Sequence, residues 1–393
     1  MNPGYKLLAR PCRASIMGCD CMFRHSSPQL FPHRTALGIG LRLLAIAALV
    51  SLIRPAPRSI DFGDPVPVQT TKPILGVHTR LTDEVEEWKI QLTLQMVREM
   101  GASWIVEFFP WAYYQAEDGS VAWEHPDLVV GHARANGLKV IARIGYTPEW
   151  ARPEGTPMTY LDHDAYDDFA AFAAAFAARC RGTVDAIIVG NEPNLSFEWG
   201  YRTATPEDYV SLLQAVYPAV KAANPDATVL AGALAPTLEP AGSPWAVNDL
   251  TFLNSMYDAG AAAYFDALAV HAYGLTFPAT SEPDAAVLNF RRVELARQIM
   301  VDHGDAATPI FITEAGWNDH PRWTMAVRPG QRIQYTLDAL DFAAERWPYV
   351  KLLAVWAFRY PAPTRSYPDY FTLVTPEFVA KPIYDALKVY TGN

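Results

Sequence analysis

Two glutamates hold the chemistry that this sequence offers. Asp185-Ala-Ile-Ile-Val-Gly-Asn-Glu-Pro-Asn194 climbs through an apolar run to Glu192, and Pro309-Ile-Phe-Ile-Thr-Glu-Ala-Gly-Trp317 climbs through another to Glu314. A short continuous apolar run ending in a turn reads as a strand buried on both faces. Each glutamate then stands at the C-terminal end of its strand, the end that faces the ligand in a parallel α/β sheet or barrel. A carboxylate there is costly unless it is solvated, paired or in use. Pro193 stops the first run and stiffens the backbone beside Glu192. Two carboxyl groups so placed are the parts of a glycosidase. One gives a proton to the leaving oxygen and the other, ionised, attacks the anomeric carbon. The charge of one carboxylate disfavours ionisation of its neighbour, which keeps the two roles apart. Once the nucleophile is esterified, that charge is gone and the first group can act as base toward water. Retention of configuration needs the carboxyl groups about 5–5.5 Å apart, and inversion about 6.5–9.5 Å. The shorter separation is expected here.

The elements that must position this pair alternate along the chain. Strand patterns fall at Ile74–His78, Ser103–Phe109, Lys139–Gly145, Ala186–Val189, Thr228–Leu234, Phe265–His271, Ile310–Thr313 and Val350–Trp356. Helical spacing fills the intervals. Val85, Trp88, Leu92, Met96 and Met100 form one apolar stripe, closed by Gly101. Phe169, Phe172, Phe176 and Cys180 form another, after a cap at Asp162 or Asp164. Thr205-Pro-Glu-Asp208 is a helix start, with a capping residue, proline in the first turn and acids beside it. Further helices are read at 126–136, 249–260, 285–303, 328–347 and 382–390. Eight strands separated by helices are what an α/β (β/α)₈ TIM barrel requires. No Gly-x-Gly-x-x-Gly follows the first strand, so a dinucleotide-binding fold has no support.

The chain has 393 residues, half of them hydrophobic, enough for one large barrel core. Its formal net charge is −10; residues 1–53 hold six Lys/Arg and one Asp, so the remainder is near −15. So acidic a body excludes a nucleic-acid partner. Residues 1–34 are a basic lead. Residues 35–53 are apolar apart from Thr35, Arg42 and Ser51, and read as a signal peptide or signal anchor. Residues 54–73, with five prolines, read as an extended spacer, and the barrel is expected over 74–393. The protein is therefore expected to be secreted or held at the membrane by its N-terminal segment. Cys180 is the one cysteine in the body, so no disulfide framework exists there. Cys19 and Cys21 lack a second pair, and no other spacing suggests a metal. No metal or cofactor is expected.

Asn191-Glu192-Pro193 and Glu314 resemble the signature of glycoside hydrolase clan A, the retaining glycosidases on TIM barrels. The resemblance covers roughly Ile74 to Tyr390. It is nearest to the cellulase-like family 5 and the xylosidase- and iduronidase-like family 39, supported by Gly145-Tyr-Thr-Pro-Glu-Trp150, His271-Ala-Tyr273 and Trp356. It implies that Glu192 is the general acid/base and Glu314 the nucleophile. It implies that Asn191 binds a sugar 2-hydroxyl, that His271 and Tyr273 stand near the nucleophile, and that Trp356 floors the sugar site. The implied substrate is a carbohydrate, a β-linked oligo- or polysaccharide, cleaved without a cofactor. The chain departs from the clan where many members place an arginine on strand two; this strand has Glu107 instead. Arg143 or Arg359 is the available substitute, and Glu107 is expected to pair with a basic neighbour. His78, at the end of strand one, is a further candidate for lining the site. Trp150 and Trp317 are expected to pack rather than to bind sugar. The competing readings are a non-catalytic barrel that binds a glycan or protein at the cell surface, and a transglycosylase built on the same two glutamates.

Overall fold

The computed structural model describes Arg42, Ile60 and residues 62–393. The basic lead, and the apolar segment apart from Arg42, lie outside the described residues. Eight strands close into a barrel: β1 Leu75–His78, β2 Trp104–Pro110, β3 Lys139–Gly145, β4 Ala186–Val189, β5 Thr228–Leu234, β6 Ala267–Tyr273, β7 Ile310–Gly316 and β8 Val350–Val355. Each pairs in parallel with the next, and β1 pairs with β8. One principal helix follows each strand: α1 Glu87–Glu99, α2 Glu124–Ala135, α3 Tyr166–Arg179, α4 Pro206–Ala223, α5 Asp249–Asp258, α6 Val293–Asp302, α7 Pro329–Arg346 and α8 Pro382–Tyr390. The expected (β/α)₈ barrel is thus observed.

Two apolar layers hold it. Val106, Ile141, Ile188, Leu230, Phe311 and Leu352 fill the barrel interior with small alanines between them. Such side-chain layers make the barrel a packed core rather than a pore. A larger cluster lies between strands and helices, where the expected stripe Phe169–Phe172–Phe176–Cys180 is buried, as are Tyr209, Leu212, Leu213, Val216 and Val220 of α4.

Three readings needed correction. In α1 the helical period holds but the phase is rotated. Ile90, Leu94 and Val97 are buried, together with the expected Met100, whereas Trp88 and, ahead of the helix, Val85 are exposed. The helix expected from Ala285 begins at Val293, after a 3₁₀ turn at Phe290–Arg292. Arg292 is pulled inward there: its guanidinium donates to Asp249 at 2.8 and 2.9 Å. Thr205 adopts the extended geometry of a cap before Pro206, but its side chain makes no capping hydrogen bond. At the earlier helix entry Asp162 does the work, accepting from the Asp164 N–H.

Residues 62–73, read from sequence as spacer, run along the barrel. Phe62 meets His132 edge-on at 4.8 Å, the Val66 N–H donates to the Ala135 carbonyl, and Lys72 pairs with Asp341 at 2.6 Å. Among the described residues no helix is long and apolar enough to cross a membrane.

Candidate active site

The C-terminal ends of the strands open into a cleft. Asn191, Glu192, Tyr273, Glu314 and Trp356 line it together, with Arg80, Arg143, Tyr146 and Glu198. His78 and His271 lie beneath this surface, 1% and 5% exposed. All seven residues singled out in the sequence therefore gather at one end of the barrel, five in the cleft wall and two under it.

Local backbone sets each of them. Gly190, at φ 76°, turns the chain out of β4, and Glu192 follows at φ 42°. The Glu192 N–H donates to the Ala233 carbonyl at 2.9 Å, which ties the turn to β5. Asn194 then anchors the loop. Its buried amide bonds the Ala235 carbonyl, the Val247 carbonyl and the Ala235 N–H at 2.9–3.0 Å. Across the barrel, the β6–β7 register shifts between Val270 and His271, and this irregularity sets His271 opposite Glu314. Tyr273, two residues on, projects from the same face of β6 as His271.

The resulting geometry is a chain of contacts. Glu192 Oε1 and His271 Nδ1 share a hydrogen bond of 2.8 Å. His271 Nε2 lies 3.7 Å from Glu314 Oε1. The Tyr273 hydroxyl donates to Glu314 Oε2 at 2.7 Å. His78 Nε2 is 4.0 Å from Glu314 Oε1, and its ring meets Trp356 edge-on at 4.5 Å. The Trp356–Ala357 peptide is cis. One oxygen each of Glu192 and Glu314 and one nitrogen of His271 all lie within 4.8 Å of one another. Among the described residues this is the one group of three side chains close enough to hold a metal ion. His271 turns a different ring nitrogen to each carboxylate.

Electrostatics separate the two histidines. Burial pushes His78 well below the ordinary imidazole range, helped by the charges of Arg143 and Arg80. Burial also pulls on His271, but the carboxylates of Glu314 and Glu192 outweigh it and raise His271 above that range. Burial likewise raises the Glu314 carboxyl and the Glu192 charge adds to this, while His271, Arg143 and the Tyr273 hydroxyl oppose it. Tyr273 itself is pushed far up by burial and by the Glu314 charge, so it remains a donor.

The arginine question is answered by position. Arg143, on β3, lines the cleft and its charge bears on Glu314. Arg359 does not: it is buried against Glu84 and stacks on Phe378. Glu107 pairs with no cation among the described residues, contrary to expectation. It is fully buried and accepts from the Leu81 and Phe108 N–H groups at 2.8 and 3.0 Å and from the hydroxyls of Thr79 and Thr82. Four donors replace the expected counter-ion. Trp317 and Trp150 pack as expected. Trp317 is 2% exposed and donates to the Phe277 carbonyl, and Trp150 meets Trp111 edge-on.

Two site residues escaped the sequence reading. Glu198 accepts from Asn191 Nδ2 at 3.1 Å and is raised by burial, with the charges of Glu192 and Glu314 adding. Its only signal was membership of a loop after β4. Arg80 gave none, because its role depends on aromatic partners from β8 and beyond.

The class defined by these observations is a (β/α)₈ barrel with two facing glutamates, bridged by a histidine, at the C-terminal ends of β4 and β7. Solved structures similar to it include glycoside hydrolases. One is a family 39 glycoside hydrolase from the gut symbiont Bacteroides cellulosilyticus WH2 (TM-score 0.66, 22% identity, 84% of this chain). The chain spans 65% of that protein's length. Another is a GH5_18 protein from Bifidobacterium longum subsp. longum in complex with Manβ1-4GlcNAc (TM-score 0.61, 16% identity, 81% of this chain and 77% of that one). A third is a GH10 endoxylanase from a sugarcane soil metagenome (TM-score 0.54, 12% identity, 81% and 97%). These fall in the clan, and include the two families, that the sequence resembles. No family model matches the chain, and no curated protein does.

Proposed function

We propose that this protein is a retaining glycoside hydrolase that cleaves β-linked saccharides by double displacement. Glu314 attacks the anomeric carbon while Glu192 protonates the leaving oxygen; water then attacks the glycosyl ester, with Glu192 as base. The observation that carries this reading is the separation of the two carboxylates. One oxygen of each lies within 4.8 Å of the other, a spacing that supports direct attack by Glu314 on a sugar carbon held between them. The surroundings support the same roles. The Tyr273 hydroxyl holds Glu314 in the geometry of an acceptor, and Arg143 supplies the positive charge that strand two lacks. His271, hydrogen-bonded to Glu192 and facing Glu314, is suited to relay the change of charge between them. Trp356 lines the cleft as an apolar surface for a sugar face. The β linkage draws on the neighbour solved with a β-linked disaccharide. The apolar stretch 35–53 supports a location outside the cytoplasm, free or tethered.

The test is a panel of activated aryl glycosides and polysaccharides, with wild type beside Glu314→Gln. Turnover by wild type, its loss in the variant, and product released with the substrate's anomeric configuration, read by NMR before mutarotation, are expected. A wild type inert across the panel leaves the binding-barrel reading in its place. An inverted product overturns the assignment of Glu314 as nucleophile.

A further inference from the structure

Two guanidinium groups line the cleft, and they are not equivalent. Arg143 on β3 lies over the Phe108 ring and, like Arg80, has a buried Nε with no hydrogen-bond partner in the protein and no ion pair within 4 Å among the described residues; its charge opposes the upward shift of both Glu314 and Glu198. Arg80 is differently placed. Its guanidinium lies 4.8 Å from the ring centre of Tyr360 and 5.5 Å from that of Trp356. Among the described residues it forms no ion pair within 4 Å, and its Nε, buried, has no hydrogen-bond partner in the protein. Its charge bears on His78, Tyr146 and Tyr360.

This placement is built into the backbone. Arg80 sits at φ 58°, in the left-handed region that side chains with a Cβ rarely enter. The residues on either side are pinned: Thr79 donates to Glu107 through its hydroxyl and Leu81 through its N–H, and the Thr79 N–H donates to the Val106 carbonyl. The fully buried Glu107 carboxylate thus holds both flanks of Arg80 and turns its side chain toward the aromatic wall of the cleft. Residues kept in such conformations cluster where ligands bind.

We infer that Arg80 recognises an oxyanion substituent on the bound sugar, making the cleft selective for an acidic saccharide over its neutral counterpart. A guanidinium that stacks on aromatic rings keeps its donors free at the edge, in a fork that matches carboxylate or sulfate oxygens. A sugar lying on Trp356 brings its ring substituents beside the same arginine. The body's negative charge gives no general attraction for anions, so the selectivity is local. The shared chemistry is the oxyanion; the C6 carboxylate of a uronic acid and a sulfate ester both present it. Glu107 is then a positioning residue for Arg80.

This inference rests on the hydrolase reading for its site, and the experiment keeps the two apart. kcat/KM is measured for 4-nitrophenyl β-glycosides in matched sets: neutral, C6-carboxylate and 6-sulfate. The expected result is that at least one acidic member exceeds its neutral partner, which identifies the oxyanion. Arg80→Gln and Arg80→Leu should lower that acidic-to-neutral ratio at least tenfold, and Arg80→Lys should retain part of it. Preference for the neutral member in wild type, or a ratio unchanged in both variants, overturns the inference while leaving the hydrolase standing. Absence of turnover on every member counts against the hydrolase alone. Calorimetric titration with glucuronate and glucose then reads the preference directly: tighter glucuronate binding that Arg80→Gln abolishes upholds the inference, and equal binding sinks it.

Discussion

Removing the Glu192 carboxyl should divide the reaction by leaving group. General acid–base catalysis by a positioned side chain contributes roughly 100- to 10,000-fold. At 1.36 kcal/mol per factor of ten, that is about 2.7–5.4 kcal/mol of barrier. Glu192→Ala should therefore lose this much in kcat/KM on substrates with a poor leaving group, such as methyl or unsubstituted phenyl glycosides. A dinitrophenyl glycoside needs no proton, so its first step should survive. Its second step should stall, because no base remains to activate water. Two features of the structure refine the expectation. One oxygen each of Glu192 and Glu314 lies within 4.8 Å of the other, and since Glu192 is assigned to the leaving-group side, truncation to alanine opens space on the sugar face away from Glu314. Azide, an anion no longer repelled by the Glu192 charge, should enter there and restore turnover. It should yield a glycosyl azide with the substrate's configuration. Truncation also takes the partner from His271 Nδ1, a ring that is only 5% exposed. An orphaned buried polar group costs about 1–3 kcal/mol. Glu192→Gln is thus the necessary companion, since it keeps a hydrogen-bonding group in place while removing the proton. Steady-state kinetics over a leaving-group series, with NMR of the azide product, reads every arm. An azide product of inverted configuration, or equal losses on all leaving groups in both variants, refutes the role given to Glu192.

Three further outcomes follow from neighbouring contacts. Tyr273→Phe removes the hydroxyl that donates to Glu314 at 2.7 Å and helps keep that carboxyl down. The acid limb of kcat/KM should move to higher pH. A hydrogen bond to a charged group is worth about 1.5–3 kcal/mol, so activity below the limb should fall roughly ten- to a hundredfold; an unmoved limb counts against the contact. Glu107→Gln replaces an acceptor of four hydrogen bonds with an amide that turns its own donors on two of them. At about 1–3 kcal/mol for each unsatisfied group, denaturant unfolding should show a loss of roughly 2–6 kcal/mol, and a loss under about 1 kcal/mol would dismiss the network. His78 is fully buried and held below its ordinary range, so unfolding takes up a proton once the pH drops under about 6.5. Stability attributable to this position is present above that pH and is lost as pH falls, by at most about 1.4 kcal/mol per unit. His78→Leu should gain on wild type in melting temperature between pH 7 and pH 5; a constant difference would show that His78 does not titrate as placed.

What the sequence disclosed was what local pattern encodes. The apolar runs into Glu192 and Glu314 are contiguous, and the end-of-strand positions of the glutamates follow from where those runs stop and from the turn residues beside them. All eight strands were found because strands buried on both faces read as unbroken apolar segments. The failures share one physical cause, since they depend on partners distant in the chain. The helix from Glu87 to Glu99 shows its period locally, but which stripe faces inward is decided by the barrel beneath it. The later start at Val293 depends on Arg292 reaching back to Asp249, 43 residues earlier. Glu107 looked in need of a cation because a lone acid in a strand usually is. Its actual partners are two hydroxyls and two N–H groups, most of them from the loop after β1, 25–28 residues away.

Backbone conformation was the least visible layer, and it is where the site differs most from the scaffold. Arg80, Tyr146, Glu192 and Leu275 are non-glycine residues at positive φ, and all four line the cleft. Each follows the end of a different strand, β1, β3, β4 or β6. A residue so held costs about 1–3 kcal/mol and persists only where its surroundings over-determine it. The surroundings do so here by hydrogen bonds to the next strand. Glu192 is tied to Ala233 of β5, and the neighbours of Arg80 are tied to Val106 and Glu107 of β2. Barrel closure thus does more than bring strand ends together. At β1 and β4 the next strand supplies the fixed acceptors against which its predecessor's loop is turned, so Arg80 and Glu192 are aimed by the adjacent strand as much as by their own.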